Sequence, residues 1–393
     1  MAIYLDHAST TYLSEGALAE MLPYFSGHFG NASSLHSLGR ESRKAVDAAR
    51  ARVAAAIGAK PAEIYFTSGG TESDNWALRG VAYAYKHKGN HIITSKIEHP
   101  AVLSACKQLE NEGFRVTYVD VDSSGVIDLE KLRAALSEGA LLVSIMMANN
   151  EVGTVQPVEK IAALCKEFGA LFHTDAVQAV GSLPIDVKAQ GIDLLSMSAH
   201  KFYGPKGVGA LYVRTGVRVS KLVAGGGQEK GLRGGTTNTP LVVGMGRAIE
   251  DAVRDMEKNN AHASALRDRL ISRIEAEIPG VTLNGHRTER LPNNANFGFE
   301  FIEGEGILLR LDLAGIAVSS GSACASQSLE PSHVLLAMGV KIEDAHGSVR
   351  FTTGKCNTAE EIDTAVDKLK QIIQTLREMS PLFNAKQGEL KYV

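Results

Sequence analysis

Polar side chains follow five apolar, strand-like runs of the sequence, at the points where these runs end. They are Ser68 to Thr71 after residues 63–67, Glu98 and His99 after 91–95, Asn149 and Asn150 after 141–147, Asp175 and Gln178 after 171–174, and Ser198, His200 and Lys201 after 193–197. In an open parallel α/β sheet, ligands bind beyond the carboxyl ends of the strands. Each group alone is a weak signal, but their convergence on one rim predicts a functional site there.

Lys201 has the residue type and setting for covalent chemistry with a carbonyl compound. It follows a buried strand, with Ser198 and His200 before it and a G-P-K-G turn after it. Partial burial would lower its pKa and free an amine that can form a Schiff base. A lysine in a loop is more often an exposed surface residue, but the turn and the neighbouring strand ends favour the catalytic interpretation.

Asp175 and the stretch TSGGTESDN at 67–75 each allow two interpretations. A carboxylate at the end of an apolar strand needs a partner, which could be the protonated pyridine nitrogen of an electron-sink cofactor. Asp175 could equally be the N-cap of the helix that follows. The glycines could form a phosphate site at a helix N-terminus, although alone they fit a simple loop capped by Thr71 better. Their spacing matches neither a P-loop nor G-x-G-x-x-G, which disfavours nucleotide binding.

The pattern of elements predicts an α/β protein that can position such a site. A chain of 393 residues suggests about two domains. Between residues 63 and 213, strands rich in Val, Ile and Leu alternate with helices, which predicts a mainly parallel sheet covered on both faces. We expect an N-terminal segment, 1–15, that packs with the small domain, a large domain at 16–255 and a small α+β domain at 256–393. A long helical segment at 239–277 could bridge the two domains.

Composition excludes several classes of function. The net charge of −3 gives no basic excess for nucleic-acid binding. A hydrophobic content of 44% and a charged content of 22% are typical of a soluble globular protein. No apolar run approaches the roughly 18 residues that a membrane span needs. The N-terminus lacks the form of a signal peptide, so we expect a cytoplasmic protein.

The four cysteines lie far apart, without the C-x-x-C spacing of a zinc site, so neither a disulfide framework nor a metal centre is expected. Cys106 and Cys165 lie in helical patterns and are predicted to be small buried residues. Cys356 stays open. Cys324 differs because residues 319–328 around it are small or polar and cannot bury enough apolar surface to hold the segment down. This predicts an exposed, mobile loop, as catalytic loops often are.

With these residues considered, the sequence resembles the cysteine desulfurases, the NifS/IscS-like enzymes of the class V aminotransferase family. The resemblance covers nearly the whole chain, and SSGSAC followed by SLEPSHVL is its most specific part. The matching blocks include YLDHASTT, FGNASSLHSLG, TSGGTESDN, ANNEVGTVQP, HTDAVQAVG, SAHKFYGPKG, GGGQEKGLRGGT, RLPNNANFGF and VRFTTGKCNTAEEID. It implies a pyridoxal 5′-phosphate (PLP) enzyme of fold type I, with a mainly parallel seven-stranded sheet and a smaller α+β domain.

The resemblance also implies a role for each site residue. Lys201 would hold the cofactor as a Schiff base and later act as acid and base. Asp175 would pair with the pyridine nitrogen, Gln178 with the ring 3′-oxygen, and His99 would stack on the ring and move protons. The phosphate would be bound by Gly70, Thr71, Ser198 and His200, with Thr236 reaching the site of the neighbouring subunit of a homodimer. Asn150 and Arg350 would hold the substrate carboxylate.

The implied reaction removes sulfur from L-cysteine, giving L-alanine and a persulfide on Cys324. The sulfur would pass to an iron–sulfur scaffold or another acceptor, and Cys324 could contact a cluster during transfer. The chain ends at LFNAKQGELKYV, without the longer tail through which some relatives dock scaffold partners, so the acceptor stays open. His7 in DHASTT is expected to fill a turn rather than face the site.

Three alternatives compete with this interpretation. A selenocysteine lyase could tolerate the loss of Cys324, and an aminotransferase would not need it. A non-catalytic sulfur carrier or scaffold would need no Schiff-base lysine. Lys201, Asp175 and His99 are all present, which disfavours that third alternative.

Overall fold

The structure is a computed structural model that describes residues 2–320 and 330–384. Its strands occupy three sheets. They are β1 (Ile3–Tyr4), β2 (Ile64–Thr67), β3 (His91–Ser95), β4 (Arg115–Val119), β5 (Leu142–Ser144), β6 (Leu171–Asp175), β7 (Leu194–Ser198), β8 (Gly209–Val213), β9 (Val281–Asn284), β10 (Asn294–Phe299), β11 (Ile316–Ala317) and β12 (Ser348–Thr352).

The α-helices alternate with the strands of the first half of the chain and dominate the second half. They are α1 (Glu15–Met21), α2 (Pro23–Ser26), α3 (Ser37–Ala56), α4 (Gly70–Tyr85), α5 (Pro100–Asn111), α6 (Leu129–Ser137), α7 (Val158–Phe168), α8 (Thr239–Arg254), α9 (Met256–Glu277), α10 (Gly304–Leu313), α11 (His333–Ala337), α12 (Ile342–Ala345), α13 (Ala359–Met379) and α14 (Pro381–Asn384). In the described ranges, no helix is both long and apolar enough to cross a membrane.

The central sheet has seven strands in the order β2-β8-β7-β6-β5-β3-β4. Only β8 runs antiparallel to its neighbours, so the prediction of a mainly parallel sheet is confirmed. Strands β3, β5, β7 and β8 are buried at every position because helices cover both faces. Helices α4 and α5 pack on one face, and α3, α6, α7 and α8 pack on the other. The high Val, Ile and Leu content of the strands reflects their burial on both faces of the sheet.

A second hydrophobic core forms around a three-stranded antiparallel sheet in the order β12-β10-β9. Apolar side chains of α9, α10 and α13 pack against it. Leu5, from the N-terminal segment, is fully buried in this core, and β1 pairs with β11 in a parallel ribbon. The first residues of the chain therefore join the C-terminal core, while the domain boundary near 255 stays a prediction.

The helical segment at 239–277 is two helices rather than one. Helix α8 ends at Arg254 and α9 begins at Met256, with Asp255 between them at φ −98° and ψ 8°. The Asp255 N–H donates to the carbonyls of Asp251 and Val253, which closes the last turn of α8. The expectation of a continuous helix was therefore wrong. The break could not be recognised in the sequence because the segments on both sides of it keep helical periodicity.

Two cysteine predictions are confirmed. Cys106 in α5 and Cys165 in α7 are buried, and burial raises the pKa of each thiol to about 12. A thiol with such a pKa stays protonated and unreactive at neutral pH. Cys356 is exposed. Cys324 lies outside the described residues.

Candidate functional site

The carboxyl ends of the parallel strands open into a cleft of about 420 Å³. Most of the predicted site residues line it together. These are Gly70, Thr71, His99, Asn150, Asp175, Gln178, Ser198, His200, Lys201 and Arg350. Thr236 is exposed and does not line this cleft. The strand-end argument thus predicted the meeting of all these residues except Arg350, which comes from β12. Glu98 and Asn149, which the same argument named, do not line this cleft.

Lys201 is at the end of a short 3₁₀ turn, Ala199–Lys201, directly after β7. Its ammonium group donates hydrogen bonds to the backbone carbonyl of Ala8 and, at 3.0 Å, to that of Ser9. Gln178 Nε2 donates to the same Ala8 carbonyl at 3.0 Å. The N-terminal segment therefore forms one wall of the cleft, and Ala8 holds both side chains.

Asp175 ends β6 and points a buried carboxylate into the cleft. Its Oδ1 accepts a hydrogen bond from the Val177 N–H at 2.9 Å. Burial raises the pKa of Asp175, while His99 and Lys201 act in the opposite direction. Asp74, in the first turns of α4, is also buried, and burial and the charge of Asp175 raise its pKa well above the usual range. His99 and Lys201 thus favour the ionised form of Asp175, whereas the charge of Asp175 favours the protonated form of Asp74.

His99 caps the N-terminus of α5. Its Nδ1 accepts a hydrogen bond from the Ala101 N–H at 3.1 Å, so the proton of the neutral ring is on Nε2. Burial lowers the pKa of His99, and Lys201 and His333 lower it further against the effect of Asp175. The ring is therefore uncharged at neutral pH, and it lines the cleft.

A polar recess adjoins the cleft at the N-terminus of α4. Its lining includes Gly70, Thr71, Ser198, His200 and Lys206. Glu72 also lines it, and its carboxylate is paired with Arg233 at 2.8 Å. A Cβ atom on Gly70 would come within 2.7 Å of Val177 Cγ2, so glycine is needed for this close packing. The free N–H groups and positive dipole end of a helix N-terminus attract anions. The recess is thus suited to a phosphate.

Arg350, on β12, is almost fully buried and connects three parts of the cleft wall. Its guanidinium donates to the Asn150 carbonyl at 2.8 Å, to Asp6 Oδ1 at 2.9 Å and to Ser9 Oγ at 2.8 Å. Its Nε has no hydrogen-bond partner among the described residues. A buried guanidinium with an unused donor beside a cleft is suited to binding a carboxylate.

Three ionisable side chains that line the cleft were not predicted from the sequence: Asp74, Glu151 and His333. Each lies inside a block that carries the family resemblance, in TESDN, NNEVG and SLEPSHVL, which was the available signal. Glu151 accepts a hydrogen bond from the Ser332 hydroxyl, and His333 Nε2 lies 3.0 Å from the Glu98 carbonyl oxygen. These contacts attach the start of α11 to the strand ends of the central sheet.

Glu98 allows a test through pH. It is fully buried next to the cleft, and burial raises its pKa to about 8 from an ordinary value of 4.5. The folded protein therefore holds a proton that the unfolded chain releases, and the stabilisation present below pH 4.5 is lost as the pH rises to 8. In the wild type, we expect this loss to lower the free energy of unfolding, measured in urea, between pH 5 and pH 8. In Glu98→Gln, the change in the free energy of unfolding over the same range should be less of a fall, by about 2–4 kcal/mol.

The control for this experiment is Glu130→Gln, at an exposed position of α6. It should reproduce the wild-type dependence on pH. Identical dependence in Glu98→Gln and the wild type would show that Glu98 is ionised in the folded protein across this range.

Comparisons with known proteins agree with this geometry. The family model described as aminotransferase class-V matches residues 3–365. A protein named cysteine desulfurase IscS from Clostridium botulinum is 55% identical over 383 residues, which cover 97% of this chain and 96% of that protein. A solved NifS-like protein has a TM-score of 0.90 at 41% identity, covering 96% of this chain and 100% of that one.

A second solved structure, described as SspA in complex with cysteine, has a TM-score of 0.80 at 38% identity and covers 91% of this chain and 100% of that one. These relatives match the full length of both the large and the small core rather than a single motif. The chain belongs to the class V aminotransferase family and, within it, to the cysteine desulfurases.

Proposed function

We propose that this protein is a PLP-dependent cysteine desulfurase that converts L-cysteine to L-alanine and carries the removed sulfur as a persulfide on Cys324. The observation that carries the proposal is the meeting of Lys201, the buried carboxyl group of Asp175 and the buried guanidinium group of Arg350 in one cleft. The names of the relatives and the cysteine complex of SspA support L-cysteine as the substrate. A cytoplasmic location stays a prediction.

The cleft residues fit PLP. Asp175 is a buried carboxylate whose only hydrogen bond in the described part of the chain comes from a backbone N–H, so a protonated pyridine nitrogen would complete its pairing. Gln178 would reach the ring 3′-oxygen, and the neutral His99 would stack on the ring. The recess formed by Gly70, Thr71, Ser198 and His200 would hold the phosphate. When bound, PLP supplies an electron sink for negative charge at the substrate α-carbon.

Lys201 and His99 would handle the protons of the reaction. With PLP held in the cleft, the Lys201 amine would remove the α-proton of the substrate and return it to carbon. His99 Nε2 carries a proton in the neutral ring and faces the cleft, where it can assist this transfer. Both residues are held by backbone contacts, Lys201 through Ala8 and Ser9 and His99 through Ala101.

Cys324 would receive the sulfur. Its thiolate attacks the sulfur atom of the substrate, the new S–S bond forms as the carbon–sulfur bond breaks, and the freed carbon takes a proton to complete the methyl group of alanine. Both described flanks of residues 321–329 lie at the cleft. Ser319 pairs with the backbone of Arg350 on one side, and His333 lines the cleft on the other.

Arg350 would bind the substrate carboxylate, with Asn150 beside it. Replacing Arg350 with lysine keeps the charge but removes the two-pronged geometry. We expect kcat/KM for L-cysteine to fall about thirtyfold, equivalent to roughly 2 kcal/mol, chiefly through a higher KM. Steady-state kinetics check this, and Arg287→Lys, on an exposed ion pair with Glu275, is the control. An unchanged KM in Arg350→Lys would mean that another residue binds the substrate carboxylate.

The protein would act as a homodimer with a shared active site. Several large apolar side chains are exposed between residues 18 and 38 of the chain, and a second copy of the chain could cover them. They are Leu18, Leu22, Phe25, Phe29, Leu35 and Leu38. Thr236, exposed and away from its own cleft, would reach the phosphate of the neighbouring subunit. A fully active monomer in solution would contradict this role. The sulfur would pass to an iron–sulfur scaffold or another acceptor protein.

The direct test is to load the purified protein with PLP and assay it with L-cysteine and a reductant. We expect a visible absorbance band and equal amounts of sulfide and alanine. A protein that stays colourless with added PLP would contradict the cofactor. Conversion of L-cysteine to its sulfur-containing α-keto acid without sulfide release would instead favour an aminotransferase. Activity with selenocysteine only would favour a selenocysteine lyase.

A further inference from the structure

The glycine-rich segment at residues 225–236 lies along the outer edge of the central sheet. Strand β2 ends this sheet on one side, so backbone N–H groups along its outer edge need partners from elsewhere in the chain. Glu229, from the glycine-rich segment, accepts the Phe66 N–H at 3.0 Å. Glu72, in the first turn of α4, accepts the Ser68 N–H at 2.7 Å. Two carboxylates thus hold the end of β2 where the chain enters the polar recess.

Each of these glutamates is paired with an arginine. Arg50 donates two hydrogen bonds to Glu229, at 2.7 and 2.8 Å. Arg233, from the glycine-rich segment, donates two to Glu72, at 2.8 and 3.0 Å. The glutamate side chains are only 6% and 12% exposed, so both pairs are shielded from solvent, and shielded two-pronged pairs interact more strongly than exposed ones. The glycine-rich segment is therefore attached beside the recess at two points.

Glu72 is a carboxylate in the wall of a recess that is suited to a phosphate. Burial acts to raise its pKa, but the hydrogen bonds from Arg233 and Ser68 outweigh burial and lower it. The group is therefore ionised at neutral pH, and by itself it would repel a phosphate. Lys206 is a cation that lines the recess, whereas burial lowers the pKa of His200 to about 4 and leaves its ring neutral. Without Arg233, Glu72 would offset the charge of Lys206.

We propose that Arg233 is a positioning residue of the phosphate site, because it neutralises the Glu72 carboxylate and so allows Glu72 to hold Ser68 without repelling the phosphate. The inference rests on the proposed function, in which this recess binds the phosphate of PLP. Arg233 does not line the recess, so it acts through Glu72 rather than by touching the cofactor. The glycine-rich segment thereby becomes part of the cofactor site of its own subunit.

The test compares PLP with pyridoxal, which has the same ring and aldehyde but no phosphate. The purified protein is stripped of cofactor and titrated with each compound, and Kd is measured from the visible absorbance. In Arg233→Gln, we expect Kd for PLP to rise at least about tenfold, because the carboxylate of Glu72 is no longer neutralised. Kd for pyridoxal should change by less than about twofold, since pyridoxal places no charge in the recess.

A double variant shows whether Arg233 acts through Glu72. Glu72→Gln keeps a side-chain oxygen that can accept the Ser68 N–H, but it carries no charge. Arg233→Gln combined with Glu72→Gln should therefore return Kd for PLP to within about threefold of the wild type. The matched control is Arg133→Gln, from an exposed two-pronged pair with Glu167, which should bind both compounds as the wild type does.

A double variant that binds PLP as weakly as Arg233→Gln would overturn the proposal, because Arg233 would then act on the phosphate itself or through the position of Thr236. Equal losses of affinity for PLP and pyridoxal in Arg233→Gln would also overturn it. If Arg233→Gln does not fold, Glu72→Gln alone decides. It leaves the charge of Arg233 uncompensated, so affinity for PLP relative to pyridoxal should rise, and an unchanged or lower ratio would contradict the proposal.

Failure of this inference can be distinguished from failure of the proposed function. A wild-type protein that binds neither PLP nor pyridoxal would remove the proposed function itself. Binding of PLP by the wild type, with the same Kd in Arg233→Gln, would remove only the role of Arg233.

Discussion

Lys201→Ala is expected to abolish both the visible absorbance of the bound cofactor and the release of sulfide, with a loss of activity of at least about 1,000-fold. Lys201 is the only lysine that lines the cleft among the residues that the structure describes. It would attach the cofactor and move the substrate α-proton, so no neighbouring amine can replace it. Absorbance spectra and a sulfide assay on the same preparation measure both losses.

Lys188→Ala is the matched control, because Lys188 is exposed in a surface loop. It should keep the colour and the turnover of the wild type. Colour retained in Lys201→Ala at the wild-type absorption maximum would mean that another group holds the cofactor. Sulfide release retained without colour would mean that the reaction needs no covalent attachment.

Cys324→Ala is the second large expected effect, and it separates sulfur transfer from the rest of the reaction. The variant should keep the visible absorbance and the exchange of the substrate α-proton, because Lys201, Asp175 and Arg350 are unchanged. Sulfide release should fall at least about 100-fold, since no thiolate is left to attack the substrate sulfur. Absorbance, α-proton exchange and sulfide release are measured together.

Cys356→Ala is the control for this variant, because Cys356 is the exposed cysteine among the three that the structure describes. It should release sulfide at the wild-type rate. Wild-type turnover in Cys324→Ala together with a loss in Cys356→Ala would move the sulfur acceptor to Cys356. Full turnover in both variants would favour direct release of sulfide from the substrate.

Most of the cleft could be predicted from the sequence because parallel strands impose a simple geometric rule. Polar residues that follow consecutive buried strands must meet at one edge of the sheet, as Asn150, Asp175 and Lys201 do. Arg350 was different, since it comes from β12 of the second core. Only the family resemblance could assign it, because no local pattern shows which strand of one core will face the sheet edge of another.

Burial and cavities are the properties that the sequence did not show. Glu98 follows a strand end and Asp74 lies in a polar stretch, but neither pattern showed that both residues are fully buried, which raises their pKa values. His7 fills a turn as expected, but the sequence did not show its close packing against Gly354, which is 347 positions along the chain. The break at Asp255 was hidden because hydrophobic periodicity continues through it.

The most direct test of sulfur transfer is the mass of the peptide that contains Cys324. PLP-loaded protein is mixed with L-cysteine without a reductant, quenched, alkylated and digested, and the alanine formed is counted in the same sample. We expect one added sulfur atom on Cys324, about one alanine for each subunit, and neither product in Lys201→Ala. Alanine formed in that amount with an unmodified Cys324 peptide, or with the added sulfur on Cys106, Cys165 or Cys356, would contradict the proposed function of this residue.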